Sequence, residues 1–194
     1  MSSPATQVVT RNRFAEVATQ LAVIVAASFF VAACARIYVP IPGTPVPLTM
    51  QNLGVLLVGL ALGSRRGFAA LVLYLVEGVS GLPVFSPIFS LQGISGIAQI
   101  LGPTGGYLIA YPFVAALTGF IFERGKATFA RGALASFAGE IVLFTFGIGW
   151  LYVLTHSFAR ALTFGLYWFI FAEVIKIMLA AGAVRSWQTF FPRN

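Results

Sequence analysis

The stretch ALTFGLYWFIFAEVIKIMLAAGAV, residues 161–184, is long enough and apolar enough to cross a bilayer, which takes about 20 such residues. Glu173 and Lys176 stand in the middle of it. A charge at bilayer depth costs roughly 2.5–3.5 kcal/mol on the mildest scale. At a spacing of i, i+3 both side chains project from one helix face. Two explanations remain open from these residues alone. Either the charges form a self-satisfied structural ion pair, or they recognise something polar, the carboxylate accepting from N–H groups and the ammonium donating to a carbonyl or carboxylate.

The rest of the chain has the same character. Of 194 residues, 59% are hydrophobic and 9% charged, against about 25% charged in soluble domains. The composition implies an integral membrane protein of one domain, residues 1–194, with no polar stretch longer than a short loop. Further spans are expected at about 17–38, 50–63, 68–79, 107–122 and 133–154, making an all-α bundle of six transmembrane helices. The two short spans at 50–63 and 68–79 flank a tight basic turn, GSRRG, residues 63–67. The segment 81–106 is apolar but interrupted by Pro and Gly, which disfavours a regular helix through it. The polar lead, residues 1–16, precedes a run without the usual cleavage pattern and is expected to lead into a retained first span.

The net charge of +7 does not point to nucleic acid, because the basic residues lie in short clusters at the ends of apolar runs. Nine of the twelve fall in the lead (Arg11, Arg13), the 63–67 turn (Arg65, Arg66), the connection after residue 122 (Arg124, Lys126, Arg131) and the tail (Arg185, Arg193). By the positive-inside rule these sides, and both termini, are cytoplasmic. The outer connections are uncharged in their middles and rich in Pro, Gly, Ser, Thr and Gln. Irregular backbone survives at membrane depth only where protein or a cavity satisfies it. They are expected to form a lid over an outward-facing pocket, with tight turns in a small bundle as the alternative.

The chemistry available is limited. Cys34 is alone and His156 has no partner at metal-ligand spacing, so neither a metal nor a redox centre is expected. The five acidic residues are all Glu. An intramembrane enzyme using Glu173 or Glu140 with Lys176 lacks a nucleophile or metal set. Candidate ligand contacts are Thr49 and Gln51 at the entry to the second span, Ser86 and Gln92 in the Pro/Gly-rich segment, and Tyr107. Gly105, in the turn GPTGGY, allows close backbone approach to a ligand or to a neighbouring helix. Capping and interfacial roles are the alternatives for these residues. Ala18, Ala22 and Ala26 repeat every four residues on the first span, a spacing that permits close helix packing, either within this chain or with a separate subunit. A scaffold role would account for this alanine face but not for the neutral, irregular outer side.

The segments PVPLTMQNLGVLLVG (45–59), GLPVF (81–85), GPTGGYL (102–108), GIGWL (147–151) and the ExxK of 173–176 occur in this order. Together they resemble the BioY family, the biotin-specific S components of energy-coupling factor (ECF) vitamin transporters. The resemblance covers nearly all of the chain after the lead. It implies a six-helix bundle in the bacterial inner membrane that binds biotin as transported ligand near the outer surface, with no cofactor and no enzymatic activity. It also implies a transmembrane coupling subunit and ATPase subunits as partners, since the chain has no residues for ATP hydrolysis. It transfers the biotin site to Glu173 and Lys176 and the partner-docking face to Ala18, Ala22 and Ala26. An S component for another small vitamin is the nearest rival. Two positions depart from the family pattern. Asp is more usual than Glu at 173, and a neutral polar residue is common where this chain has Glu140.

Overall fold

The structure is a computed structural model that describes residues 13–190, with the side chains of Ser90 and of residues 185–190 set aside. The lead through residue 12, with Arg11, and the end of the tail, with Arg193, lie outside the described residues. Long helices dominate, as apolar segments in lipid must satisfy their backbone internally. They are α1 (Arg13–Ala35), α2 (Gln51–Val79), α5 (Gly105–Glu123), α6 (Phe129–Thr155) and α8 (Ile170–Phe190). Short elements lie between them: strands β1 (Tyr38–Val39) and β2 (Leu48–Thr49), and helices α3 (Pro87–Ser90), α4 (Ile97–Leu101) and α7 (Phe158–Leu162). Four helices are long and apolar enough to cross a membrane, namely α1, α2, α5 and α6, and the segment Phe158–Tyr167 with Ile170–Val184, bent by 42°, makes a fifth.

Element α2 is not a straight rod. Gly63 in its middle has φ 80° and ψ −179°, a conformation open essentially to glycine alone. Gln51 Nε2 donates to the Tyr74 hydroxyl at 2.7 Å, although 23 residues of unbroken helix would separate them by about 34 Å. A Cβ on Gly67 would also lie 3.4 Å from the Gly59 Cα. The chain therefore doubles back at Gly63, and α2 is a hairpin of two antiparallel arms. Counted by length it is one crossing helix, with its two arms on either side of Gly63.

Helix α5 is the most buried of the long helices and packs against the hairpin and α6. Small residues allow the close approach. A side chain at Gly119 would strike the backbone at Gly63 and Ser64, and one at Gly59 the backbone of Ala115. The core between these helices includes Val55, Leu56, Leu71, Val114, Ala115 and Leu143. Helix α1 lies against the hairpin through Ala27, Ser28, Val31 and Ala35, and Ala18, Ala22 and Ala26 are exposed on its other side.

The two ends of the bundle differ chemically. The Ser64 amide donates to Glu123 Oε2 at 3.3 Å, which sets the hairpin tip with Arg65 and Arg66 beside the end of α5 and its Arg124, Lys126 and Arg131. The outer-type connections gather at the opposite end. There the 38–49 loop forms a two-stranded antiparallel ribbon pairing Tyr38 with Thr49 and Val39 with Leu48, a feature the sequence does not announce. The segment 81–106 carries only α3 and α4, of four and five residues, as its prolines and glycines require. The last span also departs from an uninterrupted helix over 161–184. A π-helical turn at Thr163–Tyr167 separates α7 from α8.

The turn at Gly63 yields a prediction. A Cβ there would collide with the Glu123 side chain, whereas Gly43, also at positive φ, has open space around it. Gly63→Ala should cost about 1–3 kcal/mol from backbone strain and more than Gly43→Ala, measured by thermal unfolding in detergent. In a Glu123→Ala background the Gly63→Ala penalty should shrink; equal penalties in both backgrounds would remove Glu123 from the explanation.

Candidate functional site

The end of the bundle away from the basic connections encloses a narrow pocket, a cavity of about 50 Å³. The 38–49 loop roofs one side with Val46, Pro47 and Thr49. The first turn of α2 supplies Gln51 and Asn52, the 81–106 segment supplies Ser86 and Gln99, and α5 supplies Tyr107 and Tyr111. Leu143 and Phe144 of α6 and Phe169 give apolar walls, and α8 contributes Glu173 and Lys176. A few convergent polar groups within an apolar, aromatic lining is the ordinary layout of such a site.

Both charges of α8 are buried, Glu173 6% and Lys176 4% exposed. Lys176 Nζ donates to Glu173 Oε1 at 2.7 Å. The other carboxylate oxygen, Oε2, accepts from Asn52 Nδ2 at 2.8 Å, and the same Nδ2 donates to Glu140 Oε1 at 2.6 Å. An amide nitrogen carries two N–H groups, so each carboxylate takes one. Asn52 on the hairpin thus ties α6 to α8 directly behind the pocket. The pair is neither isolated nor exposed; it is one corner of a buried network.

The bend in the last span shapes the same wall. A π turn leaves carbonyls without regular helical partners, and two of them find side chains. Tyr107 donates to the Gly165 carbonyl at 2.8 Å, and Thr44 Oγ1 donates to the Phe164 carbonyl at 2.7 Å. A Cβ at Gly165 would strike the Tyr107 hydroxyl, so glycine is required where the two helices meet. Tyr107 therefore lines the pocket with its ring while its hydroxyl is committed to the bend.

Several polar atoms of the lining have no partner. Asn52 Oδ1, Ser86 Oγ and Thr104 Oγ1 are buried and make no hydrogen bond. Gln51 is engaged with Tyr74, whose hydroxyl in turn donates to the Val84 carbonyl at 2.9 Å. Gln99 Nε2 donates to the Ser86 carbonyl at 3.2 Å. Buried polar groups are nearly always paired, so these unpaired atoms are open to the donors and acceptors of a polar molecule.

Of the residues singled out from sequence, Glu173, Lys176, Tyr107, Gln51, Thr49 and Ser86 line this pocket. Gln92 is exposed on the 81–106 segment and Gly105 is packed away from the lining. Gly105 serves a corner instead: a side chain there would strike the Ile100 carbonyl and approach the Trp150 indole, which donates to the Gly102 carbonyl at 2.9 Å. Sequence reasoning passes over Asn52, Gln99, Thr104 and Tyr111. Asn52 had a signal, since an amide in the first turn of an apolar span is as costly to bury unpaired as the hydroxyls and amides that were chosen. Glu140 stands behind Asn52, outside the pocket lining.

A model of the BioY family matches residues 5–193. The chain is 39% identical over 138 residues to a protein of Pyrococcus horikoshii described as a probable biotin transporter BioY, covering 70% of this chain and 76% of the relative. It is 36% identical over 157 residues to a biotin transporter BioY of Rhizobium etli, with 76% and 81% covered. A solved structure, the S-component for biotin from an ECF-type ABC transporter, superposes with a TM-score of 0.78 at 27% identity, covering 90% of this chain and 93% of the other. On the match along almost its whole length, supported by these relatives, the chain belongs to the BioY family.

Proposed function

We propose that this chain is the biotin-binding membrane component of an uptake transporter, and that the pocket around Glu173 and Lys176 holds the vitamin. The carrying observation is the buried Lys176–Glu173–Asn52 network opening onto an apolar pocket at the neutral end of the bundle. Biotin presents a ureido ring with two N–H donors and one carbonyl, an apolar thioether ring and an acidic tail. Glu173 accepts from the ureido N–H side and Lys176 donates to its carbonyl. Phe144, Phe169 and Leu143 suit the thioether ring, and the unpaired hydroxyls of Ser86 and Thr104 are donors of the kind the tail needs. Thr49, Gln51 and Tyr107 complete the wall, and Gly105 sets the corner beneath it. Because unpaired buried polar groups reject ligands that leave them so, the hydroxyls of Ser86 and Thr104 discriminate against analogues without the acidic tail.

The protein works as a ligand-capturing component and not as an enzyme. It crosses the cell membrane of a bacterium six times, the two arms of α2 counting separately, with both termini in the cytoplasm. The gathering of the basic connections at one end supports this orientation. Energy for uptake comes from ATPase subunits through a transmembrane coupling subunit, which docks on the exposed alanine face of α1.

Three outcomes are expected. In detergent the purified protein should bind biotin tightly, and Glu173→Gln or Lys176→Met should each weaken binding more than tenfold; undiminished binding in both would remove the site assignment. Asn52→Leu leaves two carboxylates without their shared donor and should lower the stability of the ligand-free protein by about 1–3 kcal/mol, visible as a lower unfolding temperature. Ala22→Leu should spoil biotin uptake by cells while leaving binding by the purified protein intact; uptake at the original rate would move the docking face elsewhere.

A further inference from the structure

Glu140 has no place in the ligand contacts above, yet it is 4% exposed in the middle of α6. One of its oxygens, Oε1, accepts from Asn52; the other, Oε2, is buried and has no hydrogen-bond partner. Its outer side borders a cleft between α6 and the bent last span, lined by apolar side chains such as Phe137, Ile141, Phe144, Ile148 and Ile170. The neutral polar side chains of that cleft, Thr145 and Tyr152, carry no charge to answer it, and the Thr145 hydroxyl donates to the Ile141 carbonyl.

The charges around it do not balance. From α8 it is faced by Glu173 and Lys176, from α2 by the neutral Asn52, and from α5 by the phenol of Tyr111. Among the described residues Lys176 is the one cationic side chain that lines the pocket or the cleft, and it is bonded to Glu173. With both carboxylates ionised, the network holds one surplus negative charge out of water. A buried charge without a partner costs several kcal/mol, and two carboxylates sharing a site relieve this by keeping a proton on one of them. A metal ion is a poorer answer, since among the described residues no three His, Cys, Asp or Glu side chains gather to hold one.

We propose that Glu140 carries a proton in the resting site, at Oε2, and that this proton is what keeps the network neutral for capture of an anionic ligand. The geometry selects Glu140 over Glu173. Both oxygens of Glu173 have donors, one of them an ammonium, whereas a proton on Glu140 Oε2 removes the surplus charge and leaves Oε1 free to accept from Asn52. Every observed hydrogen bond survives. Glu140 is then a positioning residue: it touches Asn52, not the ligand, and leaves Glu173 as the single ionised acceptor. Losing the proton would place a second negative charge beside the pocket, oppose the acidic tail and draw Lys176 away from the ureido carbonyl.

This last consequence rests on the biotin reading; the proton itself does not, so two measurements separate them. Infrared spectra of the ligand-free protein should contain the carbonyl stretch of a protonated carboxyl that is missing from Glu140→Gln, whose amide oxygen can still accept from Asn52. Glu140→Met, neutral and of similar length, serves if Glu140→Gln yields too little folded protein. A spectrum unchanged by either substitution, or a band lost in Glu173→Gln instead, overturns the proposal whether or not biotin binds. In the second measurement, biotin affinity of the intact protein should fall tenfold or more from mildly acidic to mildly alkaline pH, and Glu140→Gln should flatten that dependence. An equal fall in both proteins assigns the titration to another group and overturns the link to capture.

Discussion

A carboxylate placed in the apolar middle of a helical bundle has to be met by donors, and at Glu173 that requirement organises three helices. Lys176 answers from one turn further along α8, and Asn52 answers from the first turn of the hairpin. Asn52 can do so only because the hairpin returns its two arms side by side, with Gln51 locked to Tyr74 next to it. The same amide reaches Glu140 on α6. The charged pair thus does more than face a pocket: it fixes how α2, α6 and α8 are set around it. In a medium without water the alternative to each of these bonds is an unsatisfied polar group, which is costly enough to make the arrangement specific.

Glycine works at the other end of the scale. The hairpin passes so close to α5 that Gly59 and Gly119 have no room for a side chain, and at Gly63 one would have to displace the Glu123 side chain. This close contact gives the short arms of α2 their stability, since neither is long enough to be secure alone. It also brings the two basic connections together through the Glu123–Ser64 bond. One end of the molecule is therefore cationic and tight, the other neutral and open, and the pocket belongs to the second.

Much of this was legible in the chain. Apolar runs and the placement of arginines outline the helices, and the two charges of the last span point to the candidate pocket, although from the residues alone a structural ion pair accounts for them equally well. What was not legible depends on distance in space. Nothing in the sequence says that Asn52, 88 residues from Glu140 and 121 from Glu173, meets both. Gln92 and Gln99 look alike as letters, yet only Gln99 turns inward, because the short helix α4 presents it to Ser86 while Gln92 stays on the surface. The bend at 163–169 is hidden as well. Its residues are apolar and continuous with a good span, and only Gly165 hints that a neighbour needs the space.

The bend has a mechanical implication. The hydroxyl of Thr44 bonds the Phe164 carbonyl and also accepts from the Val46 amide, so the roof loop is fastened to the irregular turn of the helix that carries Glu173 and Lys176. Raising the roof strips that carbonyl of its partner, and straightening the turn pulls the roof's anchor away. The roof loop and the bent span are therefore geared to each other: a displacement of one disturbs the other. The fastening is a single hydrogen bond worth about 1 kcal/mol, firm enough to define a closed position and weak enough for thermal motion to release.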